Sequence, residues 1–248
     1  MKRISLNFIV MLLGLTILLS GCAQKSEALV VVTDATFPPF ETVDELSKEI
    51  VGFDMDLIQA IAERAGLNIE IQNISWDPLL AGMAECQYDI AISAITIKPE
   101  RALQMGFSDP YTNAGQIVVV DIANTTVNAH TDLAGLTVGA QIATTGAMQA
   151  EAIEGVTLKT YDTYELAFLD VVNGQIDAVI VDYPTAVAFV NQNADSLKLV
   201  GDVFTDEAYG IAFCKTNTAL IDQVNTALAE LINDGTVREL ENKWFAAD

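Results

Sequence analysis

The chain has 248 residues, of which 51% are hydrophobic, so it can bury one or two sizeable cores. Its formal net charge of -22 argues against nucleic-acid binding, which needs a basic face. The single histidine and the three cysteines show no spacing typical of a zinc site, so the sequence implies no metal and no other cofactor.

The first 21 residues predict a signal peptide. A basic start, Lys2-Arg3, precedes an almost wholly apolar run from Ile4 to Leu19, which is short for a membrane span. The run is followed by Ser20-Gly21-Cys22, and this end resembles the lipobox of bacterial lipoproteins, whose cysteine is acylated and becomes the mature N-terminus. We therefore expect lipidation at Cys22 and a short tether over 22–28. An ordinary secretory peptide with an incidental cysteine is the alternative.

The next part of the chain predicts a β-α-β-α-β order and hence a parallel sheet. Strands are expected at Leu29 to Val32, at Ile69 to Ile74 and from Ile90 to Ile95, with helices from Asp54 to Gly66 and from Trp76 to about Gln87. After the first strand, Pro38 and Pro39 favour a rigid loop at the strand's carboxyl end.

The chain then repeats this order, which suggests two similar α/β lobes with a cleft between them. Strands are expected at Thr137 to Ala140, Val156 to Tyr161 and Asp177 to Val181, with helices from about Gly146 to Ile153 and from Thr163 to Asn173. Gln116 to Asp121 is a candidate crossover strand, Glu207 to Cys214 a return strand, and two helices follow at Ala219 to Ile232 and Val237 to Phe245.

The most specific stretch reads DIAISAITIKPERALQMGFSDPY, from Asp89 to Tyr111. Pro99 stops its strand and suits the first turn of a short helix. Ser93, Thr96 and Arg101 therefore fall at a strand end, where α/β sheets bind ligands. Arginine offers a planar fork of donors that matches a carboxylate.

This stretch resembles the S-x-x-T-x-x-x-x-R block and the F-S-D-P-Y sequence of the family 3 solute-binding proteins, which are amino-acid-binding proteins of ABC importers. The resemblance covers nearly the whole chain after the leader. It implies the type II periplasmic-binding fold: two α/β lobes, each a mostly parallel sheet flanked by helices, joined by a two-strand hinge. Lobe 1 would comprise 29–114 and 207–248, lobe 2 would comprise 115–206, and the hinge would lie near 114–120 and 205–211.

The resemblance also assigns residues to the main-chain groups of an amino-acid ligand. Arg101 would bind the α-carboxylate opposite Thr144 and the N–H of Thr145, because Gln141 to Gly146 resembles the family's Q-x-G-T-T-G turn with Ala143 replacing a glycine. Asp182 resembles the ammonium-binding aspartate of the D-A-V-x-x-D block, and Thr96 and the carbonyl of Ala94 would share that ammonium. Simple helix capping by Thr144 and a loop carboxylate at Asp182 are the alternatives.

Asp34, Phe37 and Trp76 match the positions that line the family's side-chain pocket. Two aromatic walls with a carboxylate at one end suit a cationic side chain, and Gln141 and Ser93 could add hydrogen bonds. We therefore expect a polar or cationic L-amino acid: arginine first, then lysine, histidine or glutamine. The two aromatic residues could instead belong to the core. Three further residues, Glu41, Tyr111 and His130, receive no role and are expected to be structural or solvated.

The expected function is capture of an L-amino acid by cleft closure. The protein would be an exported monomer, lipid-anchored on the outer face of the cytoplasmic membrane or on the periplasmic side of an envelope membrane. It would deliver its ligand to the membrane permease of an ABC importer. The alternative is an enzyme of the same fold, such as a cyclohexadienyl-type dehydratase, which needs a proton donor over the reacting group. Asp34 could nominally serve, but the pair of Arg101 and Asp182 suits a zwitterion that is held without reaction. A sensor domain is a third class and would require a further span or kinase segment.

The two remaining cysteines, Cys86 and Cys214, are far apart in sequence. Exported proteins often pair their cysteines, but the family-like layout places Cys86 on a helix and Cys214 on a strand. We expect two buried free thiols rather than a disulfide.

Overall fold

The computed structural model describes residues 28–245. Its strands are β1 (Leu29–Thr33), β2 (Thr36–Phe37), β3 (Glu41–Val43), β4 (Ile50–Val51), β5 (Ile69–Asn73), β6 (Ile90–Ala91), β7 (Met105–Phe107), β8 (Thr112–Ala114), β9 (Gln116–Asp121), β10 (Thr137–Gln141), β11 (Thr157–Tyr161), β12 (Ala178–Asp182), β13 (Leu197–Val200), β14 (Glu207–Tyr209) and β15 (Ala212–Cys214). Its helices are α1 (Phe53–Ala65), α2 (Trp76–Ala84), α3 (Pro99–Ala102), α4 (Thr145–Ala152), α5 (Tyr164–Val172), α6 (Tyr183–Gln192), α7 (Thr218–Asn233) and α8 (Thr236–Phe245).

The first five-stranded sheet has the order β5-β1-β6-β15-β7. Strand β1 is parallel to β5 and β6, whereas β15 is antiparallel to its neighbours β6 and β7. Helix α1 follows from an apolar stripe that includes Leu57, Ile58 and Ile61, all buried, and it ends at Gly66, whose φ of 66° is the left-handed conformation that suits glycine.

The second sheet repeats this pattern with the order β11-β10-β12-β9-β13. Strand β10 is parallel to β11 and β12, whereas β9 is antiparallel to β12 and β13. All five residues of β12 are buried. A strand covered on both faces carries a continuous apolar run, which is why its sequence does not alternate. The two-lobed α/β architecture expected from the sequence is confirmed.

The chain crosses between the two sheets twice, and the two crossings lie side by side. Strand β8 leads out of the first sheet, β14 leads back, and the two pair antiparallel. A Cβ at Gly115 would lie 2.3 Å from the carbonyl oxygen of Thr205, so only glycine allows this approach of the backbones. The lobe boundaries predicted at 114/115 and 206/207 fall at the ends of β8 and β14. That these two crossings act as a hinge stays a prediction.

Helices α7 and α8 pack against α1, on the side of the first sheet. Leu220, Val224 and Leu228 form the buried stripe of α7. The end of the chain therefore completes the structural unit that its beginning started.

Cys86 and Cys214 are joined by a disulfide, so the expectation of two buried free thiols is wrong. Cys86 lies in an exposed turn after α2, and Cys214 is the half-buried last residue of β15. Strand β15 enters the first sheet between β6 and β7, and α2 packs against it. This packing brings the two Cα atoms to 4.8 Å across a sequence separation of 128 residues.

Several elements differ from the sequence expectations. Helix α6 and strands β7, β8 and β13 were not anticipated, α2 ends at Ala84, and the expected return strand is divided into β14 and β15. The predicted signal peptide, Cys22 and all but the last residue of the tether lie outside the described residues. None of the helices in residues 28–245 is both long enough and apolar enough to cross a membrane.

Candidate functional site

One cavity, with an empty volume of about 320 Å³, lies where strand ends of the two sheets face each other. It occupies the position where α/β sheets bind ligands. The residues that line it are Asp34, Phe37, Glu41, Trp76, Ser93, Ala94, Thr96, Arg101, Gln141, Thr144, Thr145 and Asp182. They comprise all eleven residues that the sequence singled out, together with Glu41. Their roles toward a ligand stay a proposal.

Arg101 is held rigidly at one end of the cavity. It is buried in the short helix α3, which begins at Pro99. Its guanidinium donates hydrogen bonds to the carbonyl oxygens of Thr96 (3.0 Å) and Ala143 (3.1 Å), and it stacks on Trp76, 5.3 Å from the ring centroid. Since a guanidinium has five N–H donors, donors remain for an anion. Trp76 therefore contacts Arg101 as well as lining the cavity.

The N-terminus of α4 approaches from the second sheet. Thr144 is its N-cap: its hydroxyl accepts a hydrogen bond from the N–H of Ala147 (3.2 Å) and donates one to the carbonyl of Gln141 (2.7 Å). The capping interpretation of Thr144 therefore holds, whatever its role toward a ligand. A Cβ at Gly146 would lie 2.6 Å from the carbonyl oxygen of Ile180, so glycine lets this helix end pack close to β12. Helix N-termini favour bound anions.

Asp182, the last residue of β12, lies at the same end of the cavity. The hydroxyl of Tyr209 donates a hydrogen bond to its Oδ1 (2.7 Å). Burial, and then the charge of Glu207, raise the pKa of Asp182 to about 6. Glu207 itself accepts hydrogen bonds from the hydroxyls of Thr96 and Thr205 (2.9 Å each). A bound ammonium would offset the repulsion between these two acids. Glu207 was not predicted from the sequence, because nothing in its own segment indicates the cavity.

At the other end of the cavity, Asp34 meets Gln141 from the second sheet. The amide of Gln141 donates to Oδ2 of Asp34 (2.8 Å), and the hydroxyl of Thr36 donates to Oδ1 (3.0 Å). Burial raises the pKa of Asp34. Phe37 packs against Tyr164, with ring centroids 5.7 Å apart. A carboxylate and an aromatic face therefore lie at the same end of the cavity.

Glu41, for which the sequence predicted no role in binding, also lies at this end. It pairs directly with Phe37 across β2 and β3, and it is fully buried. Its Oε1 accepts a hydrogen bond from the hydroxyl of Ser93 (3.0 Å). Burial, and then the carboxyl of Asp54, raise the pKa of Glu41 well above its usual range. The pairing that places residue 41 beside residue 37 is seen only in the folded chain.

The other two unassigned residues are structural. Tyr111 is buried and donates a hydrogen bond to Asp54 (2.9 Å). His130 stacks on Phe204, with ring centroids 4.3 Å apart, in a short 3-10 turn. Among residues 28–245, no cluster of histidine, cysteine, aspartate and glutamate could hold a metal ion.

The chain is similar to known proteins over most of its length. The family model of the bacterial extracellular solute-binding proteins, family 3, matches residues 29–247. The L-cystine-binding protein TcyJ of Escherichia coli K12 is 33% identical over 91% of this chain and 85% of its own length. The ABC transporter arginine-binding protein 1 of the same strain is 33% identical over 90% of this chain and 93% of its own length.

A solved structure, that of the arginine-, lysine-, histidine-binding protein ArtJ from Geobacillus stearothermophilus, superposes with a TM-score of 0.84. It is 40% identical and covers 90% of this chain and 96% of its own. These relatives are binding proteins, which agrees with the expectation that the chain is not an enzyme. The chain belongs to the bacterial extracellular solute-binding proteins of family 3.

Proposed function

We propose that this chain is the exported amino-acid-binding component of an ABC importer. Its ligand would be a polar or cationic L-amino acid: arginine first, with lysine, histidine and glutamine behind it. The observation that carries the proposal is the division of one cavity into two chemically different ends. One end suits the main-chain groups that all amino acids share, and the other end suits a positively charged side chain.

The end that contains Arg101 and Asp182 supports binding of a zwitterion. The guanidinium of Arg101 and the N-terminus of α4, at Thr145, offer donors to an α-carboxylate. Asp182, with the Thr96 hydroxyl and the Ala94 carbonyl, offers acceptors to an α-ammonium. Charge-assisted hydrogen bonds of this kind are about twice as strong as neutral ones.

The opposite end supports a cationic side chain. Asp34 and Glu41 are both buried there, and a buried carboxylate is stabilised when a cation pairs with it. Phe37 adds an aromatic face on which a planar guanidinium can stack. Cystine would bring a second ammonium to this end but also a second carboxylate, and among the residues that line the cavity only Arg101, at the opposite end, is basic. The geometry therefore favours the specificity of the arginine-binding relatives over that of the cystine-binding relative.

A titration of the mature protein with arginine, lysine, glutamine, cystine, glutamate and leucine tests this order by calorimetry. We expect arginine to bind most tightly and glutamate and leucine most weakly. Asp34→Asn should weaken arginine binding by about 10- to 100-fold, the usual value of a hydrogen bond to a charged group, and glutamine binding by less. Tightest binding of cystine, glutamate or leucine would overturn the assignment of this end, whereas tightest binding of glutamine would change only the order.

Ligand binding is proposed to close the cleft. Arg101 lies on α3, which packs against the first sheet, whereas Thr145 lies on α4 and Asp182 on β12, on the side of the second sheet. One small ligand therefore touches all three residues only when the two sheets are close. Contacts that exist only in the closed state shift a hinge equilibrium. X-ray scattering of the same arginine-saturated sample should give a smaller radius of gyration than the free protein, and an unchanged profile would contradict closure.

We propose in addition that Cys22 is the acylated N-terminus that anchors the protein to the membrane. Its support is the position of Ser20-Gly21-Cys22 directly after the apolar leader. Mass spectrometry of the membrane-extracted protein should identify a lipid-modified Cys22 as the first residue, and Cys22→Ala should abolish the modification and the membrane association. A soluble exported chain that starts at another residue would contradict the anchor.

A further inference from the structure

Two buried carboxyl groups, those of Glu41 and Asp54, face each other behind the side-chain end of the cavity. Both side chains are fully buried, and they are held by adjacent residues: Glu41 accepts a hydrogen bond from the hydroxyl of Ser93, and Asp54 accepts one from the N–H of Ala94. The carboxyl of Asp54 raises the pKa of Glu41, as expected for two neighbouring acids. Glu41 Oε2 and Asp54 Oδ1 lack a donor N–H or O–H group anywhere in residues 28–245. An unpartnered buried acceptor is costly, and here there are two of them in the same place.

A single proton held between the two carboxyl groups would supply the hydrogen bond that both unpartnered oxygens lack. It gives each unpartnered oxygen a hydrogen bond, and it avoids two adjacent negative charges in a site shielded from water. The remaining oxygens are already satisfied: Glu41 Oε1 accepts from Ser93 (3.0 Å), and Asp54 Oδ2 accepts from the N–H of Ala94 (2.8 Å) and from Tyr111 (2.9 Å). Burial raises the pKa of both carboxyl groups, in agreement with a shared proton.

The groups around this pair are acidic or neutral. Asp34, which follows β1, and Tyr111, which precedes β8, are the nearest titratable neighbours of the pair. The carboxylate of Asp34, like that of Asp54 on α1, disfavours ionisation of Glu41. The Arg101 guanidinium lies in the same cavity but directs its hydrogen bonds to the carbonyls of Thr96 and Ala143. A cationic ligand side chain would therefore bring a new positive charge to the pair.

We propose that the Glu41–Asp54 pair keeps its proton when a neutral side chain occupies the cavity and releases it to solvent when a cationic side chain binds. This inference rests on the function proposed above and deepens it. One positive charge replaces another, so the net charge of this end of the cavity is unchanged. Such an exchange would let a single pocket hold either an amide or a guanidinium without leaving buried charge unbalanced.

The exchange makes arginine binding depend on pH in a defined direction. Because a proton is released, the affinity for arginine rises with pH, by up to about tenfold per pH unit while the free pair holds the proton. Citrulline has the same shape as arginine but no side-chain charge, so its affinity should lack this dependence on pH. Both ligands share the α-ammonium, so any proton linked to Asp182 cancels in the comparison.

Calorimetry of the mature protein at about pH 7.5, which is above the pKa of about 6 of Asp182, counts the protons. Titrations with arginine and citrulline are run in phosphate and in Tris, whose heats of ionisation differ, so the change in observed enthalpy gives the number of protons released. We expect arginine to release close to one proton more than citrulline. Equal counts with tight arginine binding would overturn this inference alone, and failure of both ligands to bind would overturn the proposed function with it.

Two matched variants separate proton exchange from a purely structural role. In Glu41→Gln, the amide can accept a hydrogen bond from Ser93 and donate an N–H to Asp54, so the variant mimics the protonated pair. We expect the extra proton release to vanish in this variant and its affinity for arginine to fall at least tenfold. Asp54→Asn can donate to an ionised Glu41, so arginine should bind without the extra proton. Release that persists in both variants would overturn the proposal.

Asp56→Asn is the control. Asp56 lies in the same first turn of α1 but points away from the cavity, where its carboxylate accepts from Lys243 and Trp244 (2.7 Å each). The difference of one proton between arginine and citrulline should persist in this variant. Its loss there would mean that the release does not come from the Glu41–Asp54 pair, which would also overturn the proposal.

Discussion

Replacing Arg101 by alanine is expected to weaken the binding of every amino-acid ligand by more than about 100-fold. The α-carboxylate is common to all of them, and the variant leaves it without its guanidinium partner in a buried site. Leaving a desolvated charge unpaired costs on the order of 3 kcal/mol or more, and every 1.4 kcal/mol or so is a factor of about ten in affinity. Calorimetry with arginine and with glutamine measures the loss, which should be similar for the two ligands.

Two further variants distinguish the effect of the planar guanidinium geometry of Arg101 from the effect of its positive charge alone. Arg101→Lys keeps the charge but loses the planar, bidentate geometry, so its affinity should lie between those of the wild type and Arg101→Ala. Arg64→Ala removes an arginine that makes ion pairs with Glu230 and Asp234 on the surface, outside the cavity, and should change affinity little. Near wild-type binding in Arg101→Ala would remove the site assignment.

Breaking the disulfide between Cys86 and Cys214 is expected to destabilise the protein strongly without altering the cavity. A cross-link restricts the unfolded chain, and the stabilisation grows with loop length to about 4.7 kcal/mol for a loop of about 100 residues; the separation here is 128 residues. At about 2–4 °C per kcal/mol for a protein of this size, the double variant Cys86→Ser/Cys214→Ser should melt at least about 10 °C below the wild type.

Thermal unfolding followed by circular dichroism measures this effect. The wild type in reductant should approach the melting temperature of the double serine variant, and the variant itself should not respond to reductant. Neither cysteine lines the cavity, so the affinity for arginine well below the melting temperature should stay within about twofold of the wild type. An unchanged melting temperature in both tests would show that the cross-link contributes nothing to stability.

Elements whose causes are local were predictable from the amino-acid sequence. The apolar stripe of α1 and its terminal Gly66, the capping of α4 by Thr144, and the strand, turn and helix that carry Arg101 depend on residues close together in the chain. The two-lobed fold followed from the repeated β-α-β-α-β order and from the resemblance to a known family. All eleven residues predicted from these motifs lie around one cavity, although their roles stay a prediction.

Contacts between segments that are distant in the chain depend on how the elements pack, and they could not be predicted from the sequence. The return of the chain through β14 and β15 brings Cys214 to Cys86 and places Glu207 and Tyr209 beside the cavity. The β2–β3 hairpin buries Glu41 against Asp54 of α1. A single sequence does not show such pairings, because the propensities of each segment are independent of its partner's position. The energy of a buried carboxyl depends on that partner, so its chemistry becomes visible only in the folded chain.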